Sequence, residues 1–450
     1  MERVVRPLGY VDDSADRFVD EWRAACRIPS LHGSAGLEEM AEWVAERARS
    51  VLDTVELVST TNGPPVVFGT LEGRGPGRLL LYSHYDVQPP EPLSDWSVDP
   101  FGGALRDGIV IARGCCDDKA DVTARLQAIE AWKSTEGGLP FSIVWLCEGA
   151  EETGSHGLGE VIDARRAVLG SCDWCLWESY LRREDGRSEI GFGCRGLLYV
   201  ELTLRRLISD QHSAFATIYR SATAELVSAL TTMTDGQGIV TIDGFHDAIT
   251  TPTALDNSAL AQLEPPRAEI GVQGRTGFLV ADSRERARRL LFEPTANIAG
   301  VWAGHTAAGA KTVLPAEARA KIDFRLVPDQ TPEQARELLR AHLDRHGFPD
   351  IEIEVLSAVP PARSPMDSEL ARAVISAATA MFGPPVLYPL VTGSGPVHHV
   401  SRELGIPTVM PPGSTRLSSR IHGSDENASV KDYLDHVRFT VRLFDELREL

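Results

Sequence analysis

The sequence has little cysteine, no long apolar run and no excess of basic residues. Seven of its 450 residues are cysteine, a small and odd number that excludes a disulfide scaffold and favours a reducing cytoplasm. No stretch reaches the ~18 consecutive apolar residues of a membrane span. No apolar run follows Met1–Pro7 as it would in a signal peptide. We therefore expect a cytoplasmic protein that does not bind membranes.

Acidic residues exceed basic ones, and this balance excludes a second class of function. Aspartate and glutamate number 64 against 45 lysines and arginines, so the net charge is −19 at pH 7. A protein that binds nucleic acid without sequence preference needs a basic surface. The chain also lacks a P-loop and a GxSxG motif, which are typical of phosphate binding and of serine hydrolases. We expect neither a nucleic-acid partner nor those two chemistries.

The first part of the chain alternates continuous apolar runs with segments of helical periodicity. Continuous runs predict strands buried on both faces, and an apolar period near 3.6 predicts helices. The predicted strands are Leu79–Tyr82, Phe141–Leu146 and Trp174–Trp177, and the predicted helices are Ala15–Ala25, Leu37–Val51, Val122–Trp132 and Leu158–Leu169. This alternation predicts an α/β domain with a mostly parallel sheet flanked by helices.

From about Arg195 the pattern changes to strict alternation of apolar and polar residues. Such alternation predicts antiparallel strands with one face in water. The predicted strands are Tyr199–Leu204, Ala318–Phe324 and Ile351–Val355. A helix is predicted over Pro332–His346, with Thr331 as its N-cap and proline at its first position.

These patterns predict two domains, one inserted into the other. The inserted domain, residues 195–358, is smaller and of the α+β class. The first domain comprises residues 1–194 and 359–450. Its second part contains a helix over Ser368–Met381, a strand over Thr408–Met410 and a final amphipathic helix over Val430–Leu447.

Residues capable of binding metal follow the predicted strands of the first domain. Because ligands bind beyond the carboxyl ends of parallel strands, we expect these side chains to meet at one edge of the sheet. They are His84 and Asp86, Asp117 and Asp118, Glu151 and Glu152, Glu178, and His422. Imidazole and carboxylate together suit zinc and similar divalent metals. Two such metals sharing one carboxylate need about five ligands and a further carboxylate as base, which this set supplies.

Several short segments resemble one enzyme family over nearly the whole chain. They are Ser83–Pro89, Trp96–Phe101, Arg113–Lys119, Glu151–Ser155, Asp210–Ser213, Asp323–Pro328 and Ile421–Gly423. The sequence resembles the two-zinc metallopeptidases that include glutamate carboxypeptidase, carnosinase-type dipeptidases, acetylornithine deacetylase and succinyl-diaminopimelate desuccinylase. The spacing of the first segments is most similar to the dipeptidase branch. The resemblance implies a phosphorylase/hydrolase-like catalytic domain with an inserted lid and dimerisation domain.

The resemblance also implies a metal centre in the catalytic domain. Two divalent ions per chain are implied, most often Zn²⁺, with Mn²⁺ or Co²⁺ as alternatives. Asp117 would bridge them, His84 and Glu178 would complete one metal, and Glu152 and His422 would complete the other. In such relatives the peptide bond after the bridging aspartate is often cis, which predicts a cis bond between Asp117 and Asp118.

The same resemblance implies roles for two further carboxylates. Asp86 would bind the distal nitrogen of His84 and fix its tautomer. Glu151 would act as general base, taking a proton from the bridging water and passing it to the leaving amine.

The lid domain carries the remaining residues implied by the resemblance. His212 would reach the active site of a partner subunit and stabilise the oxyanion, which implies a homodimer through the lid. Arg325 would bind the terminal carboxylate of the substrate, a contact that suits a guanidinium fork. Asn297 would make another polar contact, and Ser394 and Gly395 belong to a glycine-rich substrate loop. The substrate would be a small peptide or an N-acyl amino acid.

The chain departs from these relatives at two places. After the lid histidine, relatives usually have Ser-Gly and a Gly-Gly pair, whereas this chain has bulkier residues over Ser213–Arg220. The substrate loop reads Leu390–Gly393 instead of the Arg-Glu-Gly-Gly lead-in of dipeptidases. Both changes concern substrate recognition and leave the implied metal ligands intact.

We therefore predict a metal-dependent hydrolase that cleaves the amide bond of a dipeptide or of a C-terminal residue. An N-acyl-amino-acid deacylase, or an amidohydrolase of specialised metabolism, is the alternative within this class. Two further alternatives are a non-catalytic binding protein on the same fold and a thiol redox protein built on Cys172 and Cys175, whose spacing is typical of redox pairs.

Overall fold

The computed structural model describes residues 4–263 and 278–450, which form two compact units. The first consists of the chain up to Gly193 together with Arg363–Pro389 and His399–Leu450, and the second of Cys194–Ala362 and Leu390–His398. Residues 390–398 thus pack with the second unit. The sequence prediction had placed them in the first domain, because no change of pattern marks a nine-residue excursion that only tertiary contacts define.

The described residues form helices at the predicted positions and several further helices that were not predicted. They are α1 (Val5–Asp13), α2 (Ala15–Cys26), α3 (Ala35–Arg49), α4 (Lys119–Glu136), α5 (Leu158–Ala164), α6 (Arg166–Leu169), α7 (Ala222–Leu230), α8 (Ala254–Leu260), α9 (Ser283–Phe292), α10 (Pro332–Arg345), α11 (Glu369–Phe382), α12 (His398–Ser401) and α13 (Val430–Leu447). None of these described helices is long and apolar enough to cross a membrane.

The strands within residues 4–263 and 278–450 fall into seven sheets, of which two are large. They are β1 (Thr54–Val58), β2 (Val66–Leu71), β3 (Arg78–His84), β4 (Ala104–Arg106), β5 (Ile109–Ile111), β6 (Ser142–Glu148), β7 (Trp174–Leu176), β8 (Tyr180–Arg182), β9 (Glu189–Gly191), β10 (Gly193–Cys194), β11 (Gly196–Arg205), β12 (Gln211–His212), β13 (Thr295–Ala303), β14 (Val313–Leu314), β15 (Glu317–Leu326), β16 (Glu352–Val359), β17 (Ala362–Arg363), β18 (Val386–Tyr388), β19 (Thr408–Val409), β20 (Pro412–Arg416) and β21 (Asn427–Ser429).

A six-stranded sheet forms the centre of the first unit. Its strand order is β1-β2-β6-β3-β7-β19, with parallel pairs from β6 to β19 and antiparallel pairs at β1 and β2. The side chains of Leu79–Tyr82 and of all of β6 are buried, as expected for strands covered by helices on both faces. The mostly parallel α/β fold predicted from the sequence is therefore confirmed.

Helix α4 is the most buried helix against this sheet. It packs against α1, α2 and α13, and its buried residues include polar ones such as Asp121 and Arg125. Arg125 donates hydrogen bonds to the carbonyl oxygens of Tyr82 and Trp177. It therefore joins the two strands just before His84, which ends β3, and Glu178, which follows β7.

The second unit contains a four-stranded antiparallel sheet of order β13-β15-β11-β16. Burial along β15 alternates strictly, and its buried residues Ala318, Ala320, Ile322 and Phe324 form one face of a hydrophobic core. Helices α7 and α10 cover this face. Thr331 caps α10 by accepting a hydrogen bond from the backbone of Gln334, as predicted.

The structure differs from the sequence prediction in two further local features. Helix α1 was not predicted, because its sequence contains Pro7 and Gly9, which disfavour helix. Packing against α4 and α13 stabilises it instead, with Pro7 and Val11 buried. The single helix predicted over Leu158–Leu169 is interrupted at Arg165, which separates α5 from α6.

Candidate metal centre

His84 ends strand β3 with a fully buried side chain between two carboxylates. Its Nε2 lies 3.0 Å from Oδ1 of Asp117, and its Nδ1 lies 3.3 Å from Oδ1 of Asp86. A histidine that binds a metal through one nitrogen usually donates its other ring N–H to a carboxylate. Asp86 lies close to Nδ1 of His84, and its role in fixing the tautomer of His84 stays a prediction.

Asp117 stands between two histidines. Its Oδ1 faces His84, and its Oδ2 lies 2.9 Å from Nε2 of His422. The peptide bond from Asp117 to Asp118 is cis, as predicted. Asp118 accepts a hydrogen bond of 3.1 Å from the backbone N–H of His84. A carboxylate whose two oxygens face different imidazoles has the geometry needed to bridge two cations.

Glu151 and Glu152 lie on a single 3₁₀ turn, Glu151–Thr153, that follows β6. The carboxylate of Asp86 accepts the backbone N–H groups of both, at 3.2 Å and 3.0 Å. Oε2 of Glu152 lies 3.2 Å from Nε2 of His422. Ligand atoms of Asp117, Glu152 and His422 all lie within 4.8 Å of one another, so these three could hold one divalent ion.

Glu178 follows β7 and brings a further carboxylate to the same edge of the sheet. Its Oε1 is buried and accepts no hydrogen bond from any described residue. Burial, together with the charge of Glu151, raises the pKa of Glu178 well above its ordinary value. An unpaired buried carboxylate is costly unless a cation compensates it, so Glu178 fits the role of a metal ligand.

The carboxylates of this cluster outnumber its imidazoles. Burial, with the charges of Asp117 and Glu152, raises the pKa of Glu151 to about 8. Burial alone would raise the pKa of Asp117, but hydrogen bonds from His422 and His84 hold it well below its ordinary value. Contacts with Asp117 and Glu152 raise the pKa of His422 to about 10. This excess of negative charge in a buried place is what a pair of divalent cations would balance.

The loop that carries His422 has an unusual backbone. His422 has φ of +60°, and Arg420 and Asp425 have φ of +57° and +58°. Residues with a Cβ rarely adopt this left-handed conformation, and such residues concentrate at functional sites. The loop conformation turns the imidazole of His422 toward Asp117 and Glu152.

In the second unit, the structure brings Arg325 and Ser394 together. Nη1 of Arg325 donates a hydrogen bond of 2.9 Å to Oγ of Ser394. Asn297 lies opposite Asp323 in the strand pair β13–β15 and donates a 2.7 Å hydrogen bond to its carboxylate. Gly395 follows Ser394 in an irregular segment.

His212 lies in the second unit on the short strand β12, which pairs with β14. Its side chain is exposed, and its Nδ1 accepts a 3.1 Å hydrogen bond from the backbone N–H of Ala214. Because Nδ1 is the acceptor, the neutral imidazole carries its proton on Nε2. His212 can therefore donate a hydrogen bond outward.

Sequence reasoning missed several residues that hold the first-unit cluster in place. Gln88 donates a 2.8 Å hydrogen bond to Glu152, and it lies in the segment Ser83–Pro89 that carried the resemblance. Glu426 and Arg113 form a buried ion pair of 2.8 Å beside Asp117. The sequence offers no periodic signal for this pair, since 313 residues separate its members.

The cysteines argue against the thiol redox alternative. None of the seven forms a disulfide bond, and all are buried. Burial raises the pKa of Cys172 to about 12 and raises that of Cys175 as well. A redox pair needs a lowered thiol pKa, so these two thiols do not fit that alternative.

Comparison with known proteins agrees with the geometry. The sequence profile of Peptidase family M20/M25/M40 matches residues 80–446. The chain is 26% identical over 355 residues to the Cys-Gly metallodipeptidase of Schizosaccharomyces pombe, covering 74% of each chain. It is 24% identical to the Beta-Ala-His dipeptidase of Rattus norvegicus, covering 98% of this chain and 95% of that one.

A solved structure shares the fold over almost the full length. The M20 family metallo-carboxypeptidase from Sulfolobus solfataricus superposes with a TM-score of 0.89 and 31% sequence identity, covering 96% of this chain and 99% of that chain. The segment matched by the family profile, residues 80–446, includes every residue of the candidate metal centre.

Proposed function

Because the chain belongs to peptidase family M20/M25/M40 and is a metal-dependent peptide hydrolase, we propose that it acts as a dipeptidase or carboxypeptidase. The observation that carries this proposal is the position of Asp117 between His84 and His422. That arrangement, with acidic side chains on either side, provides donors for two cations instead of one. The dipeptidase names of two relatives and the carboxypeptidase name of a third support the substrate class.

We assign the metal ligands from this geometry. Asp117 would be shared, His84 and Glu178 would hold one cation, and Glu152 and His422 would hold the other. Mixed imidazole and carboxylate donors fit Zn²⁺, and Mn²⁺ or Co²⁺ are alternatives. The buried, unpaired Oε1 of Glu178 supports its assignment.

Bound divalent cations lower the pKa of a coordinated water and polarise a carbonyl oxygen. The chain supplies the proton transfer. Glu151 takes one proton from the attacking water as the water oxygen bonds to the carbonyl carbon. It then delivers that proton to the amine nitrogen as the C–N bond breaks. Asp86 orients this step, because it binds the backbone of Glu151 and lies beside His84.

The second unit would recognise the substrate. The guanidinium of Arg325, held by Ser394, binds the terminal carboxylate. Asn297 adds a polar contact beside it, and Gly395 leaves room in the loop. His212, with its proton on Nε2, donates to the oxyanion in the active site of a partner subunit.

The same proposal includes a homodimer in the cytoplasm. Strand β13 lies at an edge of its sheet and exposes Ile298, Val301 and Trp302. An apolar edge strand is the kind of surface that a second copy covers. Seven cysteines without a disulfide bond support a reducing compartment.

Metal content and substrate preference test the proposal together. Elemental analysis of the purified protein is expected to find about two divalent ions per chain. A panel of dipeptides, longer peptides and N-acyl amino acids is then assayed before and after chelation. Chelator-sensitive cleavage of free dipeptides or C-terminal residues is the expected result. Preferred cleavage of N-acetyl or N-succinyl amino acids would favour the deacylase alternative, and metal without cleavage of any amide would favour a binding protein.

A further inference from the structure

Glu426 is a buried carboxylate outside the ligand set that touches the loop carrying Asp117. It lies four residues beyond His422 and directly before β21 (Asn427–Ser429), and its side chain is fully buried. Strand β21 pairs with β5 (Ile109–Ile111), from which the chain continues to Asp117. The two loops that carry Asp117 and His422 therefore begin or end at neighbouring strands.

Both carboxylate oxygens of Glu426 accept hydrogen bonds from the backbone of the loop that carries Asp117. Oε1 accepts the backbone N–H groups of Cys116 at 2.9 Å and Asp117 at 3.3 Å, and Oε2 accepts that of Gly114 at 3.0 Å. Three backbone donors on one carboxylate make strong charge-assisted hydrogen bonds. They fix the backbone that ends at Asp117.

Arg113 extends this contact to the His422 loop. Its Nη1 donates to Oε2 of Glu426 at 2.8 Å, and its Nη2 donates to the carbonyl oxygens of His422 at 3.2 Å and Pro89 at 3.3 Å. The guanidinium is rigid and planar, so its two ends hold a fixed spacing. Arg113 is itself buried, and its positive charge balances that of Glu426.

We propose that Glu426, together with Arg113, is a positioning residue that sets the separation of Asp117 and His422. By doing so it sets the affinity of the chain for the cation that these two residues and Glu152 would share. The inference rests on the proposed metal site. Glu426 is placed outside the ligand set because each of its oxygens already accepts two donors, although Cys115, Cys116 and Glu426 are close enough together to hold a metal.

Glu426→Gln tests this inference with little change of shape. The amide retains one acceptor oxygen and replaces the other with an NH₂ group, which cannot accept a hydrogen bond. Two of the four donors around Glu426 therefore lose their acceptor. We expect the affinity for Zn²⁺, measured by competition with a chromophoric chelator, to fall by about 10–100-fold, as for other residues that orient metal ligands. Melting of the metal-free protein is followed in parallel by circular dichroism.

Asp432→Asn is the matched control. Asp432 is also buried and ion-paired, with Nη1 of Arg182 at 2.8 Å and Nε of Arg416 at 2.6 Å, and neither arginine belongs to the ligand set. We expect this variant to lower the melting temperature of the metal-free protein while leaving the Zn²⁺ affinity unchanged. If both variants lose Zn²⁺ affinity equally, a general loss of stability explains the lower affinity, and the inference is overturned.

Arg113→Lys is a second test that keeps a positive charge beside Glu426. A lysine ammonium cannot span Glu426 and the carbonyl of His422 as the guanidinium does, so the Zn²⁺ affinity is expected to fall in this variant too. If folded Glu426→Gln or Arg113→Lys protein binds Zn²⁺ with wild-type affinity, the inference is overturned and the proposed function is not. A wild-type chain that binds no Zn²⁺ overturns both the inference and the proposed function. Because this experiment measures Zn²⁺ affinity and not peptide hydrolysis, a wrong substrate class does not affect its result.

Discussion

Asp86 organises the candidate site through contacts made by one buried side chain. It lies beside His84 and accepts the backbone N–H groups of Glu151 and Glu152. One carboxylate thus fixes the imidazole at the end of β3 relative to the turn after β6. The base and the ligand that we assign to this turn depend on it for their positions.

Removing the proposed base should separate metal binding from turnover. Glu151→Gln keeps the shape of the side chain and loses its capacity to accept a proton. We expect unchanged metal content and a kcat lower by about 10²–10⁴-fold, the usual contribution of a general base. Steady-state kinetics and elemental analysis measure the two effects. Asp163→Asn, on the exposed face of α5, is the control, and near-wild-type turnover by Glu151→Gln would exclude Glu151 as the base.

The role of Arg325 can be tested by comparing substrates with and without a terminal charge. Arg325→Ala should reduce kcat/KM for peptides with a free carboxylate by about 10–100-fold, the value of a charge-assisted hydrogen bond. The same variant should leave cleavage of C-terminal amides unaffected, because these substrates lack the charged group.

Arg319→Ala provides the matched control for that experiment. Arg319 lies on the same strand, β15, is similarly exposed, and pairs with Glu201 at 2.9 Å. We expect it to leave kcat/KM at the wild-type value for both kinds of substrate. Equal losses on acids and amides in Arg325→Ala would mean that the arginine does not bind the carboxylate.

Among the secondary-structure elements, α4 and α13 enclose a polar network below the candidate site. His436 of α13 is fully buried, with Nδ1 at 3.5 Å from Oδ1 of Asp121 on α4 and Nε2 at 3.3 Å from Oγ of Ser179. Burial lowers the pKa of His436 to about 4. The folded chain therefore keeps this imidazole neutral at a pH where an exposed histidine takes up a proton.

This network predicts a defined loss of stability in acid. An unfolded chain protonates His436 near pH 6.5, whereas the folded chain does so near pH 4. Stability from this group is present above pH 6.5 and falls between these values by about 1.4 kcal/mol per pH unit. The free energy of unfolding is measured by denaturant titration with chelator present. The difference between wild type and His436→Gln should shrink by this amount as the pH falls, and a constant difference would contradict the buried neutral imidazole.

Elements with strong periodicity were predictable, and contacts between distant segments were not. The burial of Leu79–Tyr82 and the helix at Val430–Leu447 follow directly from the order of apolar residues. The position of His84, Glu152 and Glu178 at one edge of the sheet was also predictable, because the carboxyl ends of parallel strands lie at the same edge. The four donors around Glu426 and the fork of Arg113 depend on tertiary closure. No local sequence pattern predicts these contacts between distant parts of the chain.

At the scale of the whole molecule, the exposed edge of the second unit bears on assembly. Strands β13 and β16 form opposite edges of one sheet. Val301 on β13 and Val355 on β16 are exposed to similar extents, 45% and 41%. The two edges therefore offer a matched pair of positions at which a charge can be introduced.

A lysine at the β13 edge should prevent dimer formation. Val301→Lys places a charge where a second copy would pair, a device that natural edge strands use against association. We expect wild-type protein to elute as a dimer and Val301→Lys as a monomer in size-exclusion chromatography with light scattering. Val355→Lys, on the other edge, should remain a dimer. A monomeric wild type, or loss of the dimer only in Val355→Lys, would contradict an interface at β13.

The left-handed backbone at His422 bears on how this protein can change over generations. A φ of +60° suits glycine or asparagine better than histidine. Selection for folding alone would therefore favour replacing this imidazole, whereas selection for the cation binding that we propose would retain it. A lineage that ceased to need catalysis would gain stability by losing His422 early, while its sheet and helices persisted. Loss of His422 would then be an early sign that a descendant of this protein no longer binds the cation.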